Sequence, residues 1–295
     1  MKTVHILNPA AGQGGAMKYK ASGGSTYVTS GVGDACRFVK KTLEDACEDI
    51  NFIIYGGDGT INEVVRAIID SGSDRAYISL VPTGTGNDFV RTVNETGTEC
   101  IEADVLTVDD GVSVNTVNTG FDLNVVLYAS QLKKKPLISG SMAYILGVAR
   151  ALAGSFGMHI RVEYTDEQGK DGVFDGECLL TVAGNGNYYG GGFKVSPAAS
   201  ITDGLIDLMI VKKVSRFKFV SLVGKYKKGQ HIDTQTGRPF KKFEDIIFYK
   251  KCRRVIISGI NALCCDGEIV NTDRADIGVL PRAVRVLCNK GCLKA

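Results

Sequence analysis

Residues 53–63 read Ile-Ile-Tyr-Gly-Gly-Asp-Gly-Thr-Ile-Asn-Glu, and the rest of the chain is organised around them. Asn51 to Tyr55 is expected to be a short buried strand. Gly56, Gly57 and Gly59 break it around one carboxylate, Asp58. From Thr60 the spacing turns helical, with Ile61, Val64, Val65, Ile68 and Ile69 on one face. A strand, a glycine turn and a helix N-terminus make a cradle for phosphate, because glycine backbone approaches a ligand closely and unpaired N–H groups favour anions. An ordinary tight turn has the same look. Asp58 shifts the balance: a carboxylate repels a bare phosphate, so its placement suggests a cation bridging the two.

Two further units repeat the plan. Thr3 to Leu7 reads as a strand running into the small-residue loop Asn8-Pro9-Ala10-Ala11-Gly12-Gln13-Gly14-Gly15. Residues 17–25 are polar and glycine-rich, expected to be mobile. A short strand, Tyr27-Val28-Thr29, precedes a helix with Asp34 as its N-cap and Phe38, Val39, Leu43 and Ala46 as its apolar stripe. Tyr77 to Val81 is the next strand, followed by the loop Pro82-Thr83-Gly84-Thr85-Gly86-Asn87-Asp88-Phe89. In an open parallel sheet such loops gather at the carboxyl edge, where ligands bind. Residues 1–95 are therefore expected to be an α/β domain.

After that the pattern changes. Cys100 to Val108 and Val112 to Asn118 look like a β pair joined by Asp109-Asp110-Gly111. Helical stretches follow at 122–132 and 139–153, the second carrying Met142, Ile145, Leu146, Val148, Ala149 and Leu152. From Met158 alternating runs dominate: 158–165, 177–184, 206–211, 246–249, 254–258, 262–265, 276–280 and 284–288. Residues 96–295 thus read as a largely antiparallel domain, a sandwich or flattened barrel, with 276–288 as strands able to return to the first domain.

The composition bounds the rest. A chain of 295 residues with 44% hydrophobic content has ample core for two domains. A net charge of +3 is too mild to argue for nucleic acid. The nine cysteines are odd in number and scattered, and no Cys-x-x-Cys pair accompanies histidines at zinc spacing, so they read as small buried groups in a reducing compartment. No signal peptide is apparent, and no apolar run approaches the ~20 residues of a membrane span.

Two places in the second domain carry carboxylates beside glycine. Asp203-Gly204 is either a capping turn or a cation site built from the Asp203 carboxylate and nearby carbonyls. Asp266-Gly267-Glu268 follows Cys264-Cys265 and is either a plain β-turn or a pair of carboxylates that binds Mg²⁺ or takes a proton from an attacking hydroxyl. Basic residues crowd 212–254, and a helix over 215–228 has an apolar and a cationic face. It suits anionic lipid headgroups or an ordinary packed helix with a solvated face. No recognition motif for nucleic acid accompanies the charge. Lys133-Lys134-Lys135 is a smaller cluster, expected in a loop.

Taken in order, Asn8-Pro-Ala-Ala-Gly12, Thr29 with Gly33-Asp34-Ala35, Gly56-Gly-Asp-Gly-Thr-Ile-Asn-Glu63, Pro82-Thr-Gly-Thr-Gly-Asn-Asp-Phe89, Gly120-Phe-Asp122, Asp203-Gly204 and Asp266-Gly-Glu268 resemble the diacylglycerol kinase catalytic family. Soluble bacterial lipid kinases are the nearest match. The resemblance implies a three-layer α/β domain, related to NAD kinases, and a C-terminal β-sandwich, with ATP in the cleft. It places Asn8, Pro9, Ala10, Ala11, Gly12, Thr29, Gly57, Asp58, Gly59, Thr60, Ile61, Asn62, Glu63 and Thr85 around the nucleotide. It sets Asp266 and Glu268 at the reacting centre, Glu268 as proton acceptor. It implies a structural Mg²⁺ on Asp203 with carbonyls near Ser200 and Leu205, and brings Asp58 and Asp88 into a metal and water network. Lipid-facing groups are expected near Asp122 and on the 139–153 helix. The segment between Gly15 and Tyr27 is shorter and richer in glycine than the family's first helix.

The expected activity is Mg²⁺-dependent transfer of the γ-phosphoryl group of ATP to diacylglycerol or a related lipid alcohol. The enzyme would be cytoplasmic and peripheral at the inner membrane face; oligomeric state is open, a homodimer included. Kinases of soluble acceptors, such as NAD or sugars, share Gly-Gly-Asp-Gly-Thr, and a non-catalytic nucleotide- or lipid-binding protein would share the scaffold.

Overall fold

Strands β1 (Lys2–Leu7), β2 (Ser25–Val28), β3 (Ile50–Gly56) and β4 (Ala76–Pro82) alternate apolar faces and pair in parallel in the order β4-β3-β1-β2. Val4, Ile6, Phe52, Ile54, Ile78 and Leu80 share a core with the apolar stripes of α1 (Asp34–Glu44), α2 (Asp58–Ser71) and α3 (Asp88–Thr96). The opposite face presents Leu7, Tyr55 and Val81, on which Ala16 from a 3-10 segment, Ala11–Lys18, packs. The computed structural model describes residues 1–18, 23–133, 140–154 and 156–288.

The remaining elements are β5 (Cys100–Val108), β6 (Gly111–Ser113), β7 (Thr116–Gly120), α4 (Phe121–Lys133), α5 (Gly140–Ala153), β8 (Met158–Asp166), β9 (Asp171–Gly184), β10 (Ile206–Lys212), α6 (Arg216–Lys227), β11 (Ile232–Asp233), β12 (Arg238–Pro239), β13 (Ile247–Ser258), β14 (Ala262–Cys265), β15 (Glu268–Asn271) and β16 (Arg274–Leu287). β16 joins the halves. Its first part pairs antiparallel with β13, its end pairs parallel with β4 at Arg285 and Val286, and β5 runs antiparallel along most of it. One sheet therefore continues from the parallel strands into the antiparallel ones.

Several expected boundaries move. The runs 246–249 and 254–258 are one strand, β13, and 276–280 with 284–288 are one strand, β16, whose register shifts between Leu280 and Val284. Charged residues in mid-strand, exposed on one face, had the look of breaks. The single strand expected over Val112 to Asn118 is two: β6 pairs with β5, and β7 pairs with β9 and β14. α2 begins at Asp58, not Thr60. Asp34 is not an N-cap; Gly33, at φ 78°, takes that place. The Asp34 carboxylate instead accepts the Ser30 N–H at 2.7 Å, the Ser30 hydroxyl at 2.8 Å and the Tyr27 hydroxyl at 3.1 Å, tying β2 to α1. The expected mobile stretch 17–25 overlaps the 3-10 segment and otherwise falls partly outside the described residues, as do Lys134, Lys135, the side chains of Met142 and Ile145, and the C-terminal tail from 289. Among the described residues no helix is long and apolar enough to cross a membrane.

Candidate active site

Three loops meet at the carboxyl edge of the parallel strands. A Cβ on Gly12, which sits at φ +55°, would lie 1.8 Å from the Thr83 carbonyl oxygen, so the loops after β1 and β4 touch backbone to backbone. A Cβ on Gly84 would lie 2.6 Å from Gly57 Cα, which seats the loop after β4 against the turn after β3. Only glycine permits either approach. Asn8 ties the first loop to the first turn of α2: its amide donates to Thr60 Oγ1 at 2.9 Å, and its Oδ1 accepts the Ala10 N–H at 2.9 Å, leaving Pro9 and Ala10 exposed at the rim. Thr85 is exposed at the tip of the loop after β4. The N-cap of α2 is Gly57, which offers no side-chain cap, so the N–H groups of the helix's first turn open on the space between these loops.

Not every residue expected around the nucleotide faces it. Ile61 is 1% exposed within the α/β core, and its N–H is held by the Gly57 carbonyl. It belongs to the scaffold, because a helix N-terminus that opens on a cleft turns every third or fourth side chain into the core. Thr29 is buried, with its hydroxyl donating to the Leu7 carbonyl at 3.4 Å. Glu63 accepts the Gly33 N–H at 2.8 Å, bracing α1 against α2.

Asp58 has a role no local pattern suggests. Its two carboxylate oxygens accept the N–H groups of Asp88 at 3.3 Å and Phe89 at 3.1 Å, so it caps α3 from the start of α2. Asp88 in turn accepts the N–H groups of Gly191 and Gly192, each at 2.8 Å. The two carboxylates converge: a Cβ on Gly86 would meet Asp58 Oδ2 at 2.9 Å and Asp88 Oδ2 at 3.5 Å. Burial pushes the Asp88 pKa up, the Gly191 N–H opposes it, and the neighbouring Asp58 charge adds to the rise.

Asp266 and Gly267 form the two-residue turn between β14 and β15, with Asp266 at φ 49°, and Glu268 follows as the first residue of β15. Asp266 Oδ1 accepts the Ser113 hydroxyl at 2.8 Å and the Asn115 and Thr116 N–H groups at 3.0 Å. Its Oδ2 accepts the Val114 N–H at 2.7 Å and the Asn62 amide at 2.9 Å. This explains the break between β6 and β7: three successive N–H groups leave the ladder to surround one carboxylate. Five donors thus hold the Asp266 carboxylate in place. Glu268 is different. It is exposed, and its Oε1 lies 3.7 Å from where a Cβ on Gly59 would stand. The hairpin thus carries a carboxylate across to the first turn of α2.

Asp122 lies close by. It opens α4, is 7% exposed, and accepts the Asn118 amide at 2.8 Å and the Leu123 N–H at 3.0 Å, while Asn118 pairs with Cys264 of β14. Burial pushes its pKa up to about 7 against these donors and the Tyr189 hydroxyl. A carboxyl that holds its proton more tightly in the folded state stabilises the fold at low pH, and loses that contribution as pH rises through 7. The melting temperature is therefore expected to fall between about pH 4 and pH 7, by the equivalent of up to about 4 kcal/mol. Asp122→Asn should flatten the curve in a thermal-shift titration.

Residues 2–117 match the diacylglycerol kinase catalytic domain, and residues 115–288 match the YegS C-terminal NAD kinase beta sandwich-like domain. The chain belongs to the diacylglycerol kinase family. A diacylglycerol kinase of Bacillus subtilis is 31% identical over 247 residues, covering 79% of this chain and 75% of that protein. A probable lipid kinase, YegS-like, of Alcanivorax borkumensis is 31% identical over 191 residues, covering 61% of this chain and 60% of its own length. The crystal structure of a diacylglycerol kinase from Bacillus anthracis superposes with a TM-score of 0.66 over 99% of this chain and 98% of that one at 20% identity, which shows the shared fold. At family level the chain is a lipid kinase.

The family implies metal, and the carboxylates of this lipid kinase differ in how they suit it. Asp58 and Asp88, converging at Gly86 beside the uncapped turn of α2, suit Mg²⁺ arriving with phosphates. Among the described residues no three His, Cys, Asp or Glu side chains form a cage, so phosphate oxygens would complete the coordination. The Asp203 site does not suit a metal. Lys251 Nζ lies 2.6 Å from Asp203 Oδ2 and 3.0 Å from Asp207 Oδ2, and Asp203 Oδ1 accepts the Leu205 N–H. An ammonium already bridges the two carboxylates beside the Ser200–Leu205 turn. Nothing near residue 203 foretold this, since Lys251 arrives across the sheet from β13, opposite Asp207. Mg²⁺ or EDTA should therefore leave the melting temperature of the nucleotide-free protein unchanged. Lys251→Met should lower stability by about 3–5 kcal/mol by stranding Asp207, whose side chain is 1% exposed. Burial pushes Asp207 up to about 6, so the loss should be larger near pH 8 than at about pH 5, where protonation relieves the stranded charge.

Sequence reading also missed the partners of these groups. Asn118 and Tyr189 hold Asp122, and the run Gly190-Gly191-Gly192, at φ 60°, 81° and 105°, directs the Gly191 and Gly192 amides at Asp88. Three consecutive glycines after Tyr188-Tyr189 were the available signal for such a nest of N–H groups.

Proposed function

We propose that the chain transfers the γ-phosphoryl group of ATP to the hydroxyl of diacylglycerol or a related lipid alcohol presented at a membrane surface, with Mg²⁺ required. The supporting observation is Glu268 Oε1 at 3.7 Å from the Cβ position of Gly59: a carboxylate with no donor among the described residues faces a helix N-terminus that has no side-chain cap. The first-turn amides of α2 bind the phosphates, and the loops at Asn8–Gly12 and Thr83–Gly86 hold the nucleotide from either side. Asp58 and Asp88 would hold Mg²⁺, which would supply neutralisation of phosphate charge. Glu268 takes the proton from the attacking hydroxyl. Asp122, with a pKa near that of the medium, hydrogen-bonds the acceptor lipid.

The test is a lipid panel incubated with γ-labelled ATP and resolved by thin-layer chromatography. Label is expected in the organic phase as a phosphorylated lipid, dependent on Mg²⁺. Label confined to water-soluble products would favour a soluble acceptor instead, and no turnover with any lipid would refute the proposal.

A further inference from the structure

Helix α6 has apolar side chains on two sides. Leu222 and Tyr226 are buried, and Phe219 packs on Phe121 and Phe156, with ring centroids 4.8 and 5.7 Å away. At 100° per residue that face lies opposite Phe217, Val220 and Gly224. Phe217 is 88% exposed and Val220 58%, and a Cβ on Gly224 would meet nothing within 4 Å. Lys218 and Lys225, both exposed, run along one flank of this strip, and Lys228 follows at its end. No Asp or Glu occurs between Asp207 and Asp233.

The helix is firmly mounted. Ser215 caps its N-terminus by accepting the Lys218 N–H at 3.2 Å. The Arg216 guanidinium donates to the carbonyls of Leu152 at 2.6 Å and Gly154 at 2.8 Å, closing the C-terminus of α5, and stacks 5.2 Å from the Phe156 ring centre. Through Phe219 and Phe121 the helix touches the residue next to Asp122.

We infer that the outward face of α6 is a docking surface for an anionic lipid bilayer. Phe217 and Val220 enter the interfacial region while Lys218, Lys225 and Lys228 contact anionic headgroups. A core helix has no use for an exposed phenylalanine in mid-strip, and an ordinary solvated face would mix in acids. A strip of apolar side chains edged by lysines and no acid is complementary to an apolar interface edged by negative charge. The inference rests on the lipid-kinase reading for its purpose: the bilayer would then lie beside the α4 end that holds Asp122, so an acceptor need not leave the membrane entirely.

The test is co-sedimentation of the full chain with phosphatidylcholine vesicles, with and without phosphatidylglycerol. The protein is expected to bind the mixed vesicles and not the neutral ones. The pairs Phe217→Ser with Val220→Ser, and Lys218→Glu with Lys225→Glu, should each weaken binding at least about tenfold. Both should leave turnover of a dispersed short-chain diacylglycerol unchanged, because none of these residues lines the cleft. Equal binding to neutral vesicles, undiminished binding by either pair, or a dimer that the Phe217 pair dissolves in place of vesicle binding would each overturn the inference. Failure of the short-chain assay with the unmodified protein would instead sink the proposed activity, while sedimentation still reads the surface.

Discussion

Glu268→Gln is expected to lower phosphoryl transfer by about 10²–10⁴-fold, the usual contribution of a positioned general base, and to leave the melting temperature unchanged. The two halves of that result follow from different facts. Glu268 is exposed at the start of β15, and among the described residues nothing donates to it, so the amide costs the fold little. Its Oε1 nonetheless faces Gly59, where α2 presents its free amides. Glutamine keeps the shape and removes the ability to accept a proton. The KM for ATP should stay close to that of the unmodified protein, because the loops that hold the nucleotide are untouched. Steady-state kinetics with circular dichroism as a folding control decide the matter. Near-normal kcat would mean that the acceptor proton goes elsewhere.

Asp266→Asn should produce the opposite pattern: a loss of about 3–5 kcal/mol in unfolding free energy, with activity falling as a consequence. The carboxylate accepts from five donors, three of them successive backbone amides at Val114, Asn115 and Thr116. In asparagine one of the oxygens becomes an NH₂ group, which faces donors whichever way it is turned. At least two buried donors then lack an acceptor, at roughly 1–3 kcal/mol each. The hairpin that carries Glu268 also loosens from β7 and α2. Urea titration measures the first effect, and an unchanged midpoint would show that the cradle relaxes without cost. Together the two variants separate a group that acts on substrate from one that places it.

Much of the fold was legible in the chain because it depends on local regularities. The apolar alternation of Lys2–Leu7, Ile50–Gly56 and Ala76–Pro82 marks buried strands, and the glycine-rich stretches after the first, third and fourth strands mark loops. The positions of helices α1, α2 and α5 followed from the 3.6-residue spacing of apolar side chains, and that of α6 from its basic and apolar faces. Strand ends were less legible. β13 and β16 pass through Lys250, Lys251, Arg253 and Arg254, or through Pro281 and Arg282, residues that read as turns. A long edge contact with several partner strands keeps such residues extended, and pairing partners far along the chain leave no local trace.

The same division holds in the site. By itself the sequence determined that Gly56-Gly-Asp-Gly-Thr joins a strand to a helix, because the apolar strand run stops at Gly56 and helical spacing begins within the next few residues. It also determined that Asp266-Gly267 makes a hairpin with Glu268 on its far side. Only the tertiary structure decided what each carboxylate does. Asp58 caps a helix that starts thirty residues later, Asp266 collects amides from over a hundred and fifty residues away, and Asp203 meets Lys251 from another strand. The physical reason is that a carboxylate's role is set by the donors and charges within about 4 Å, and in a folded chain those neighbours come from other elements.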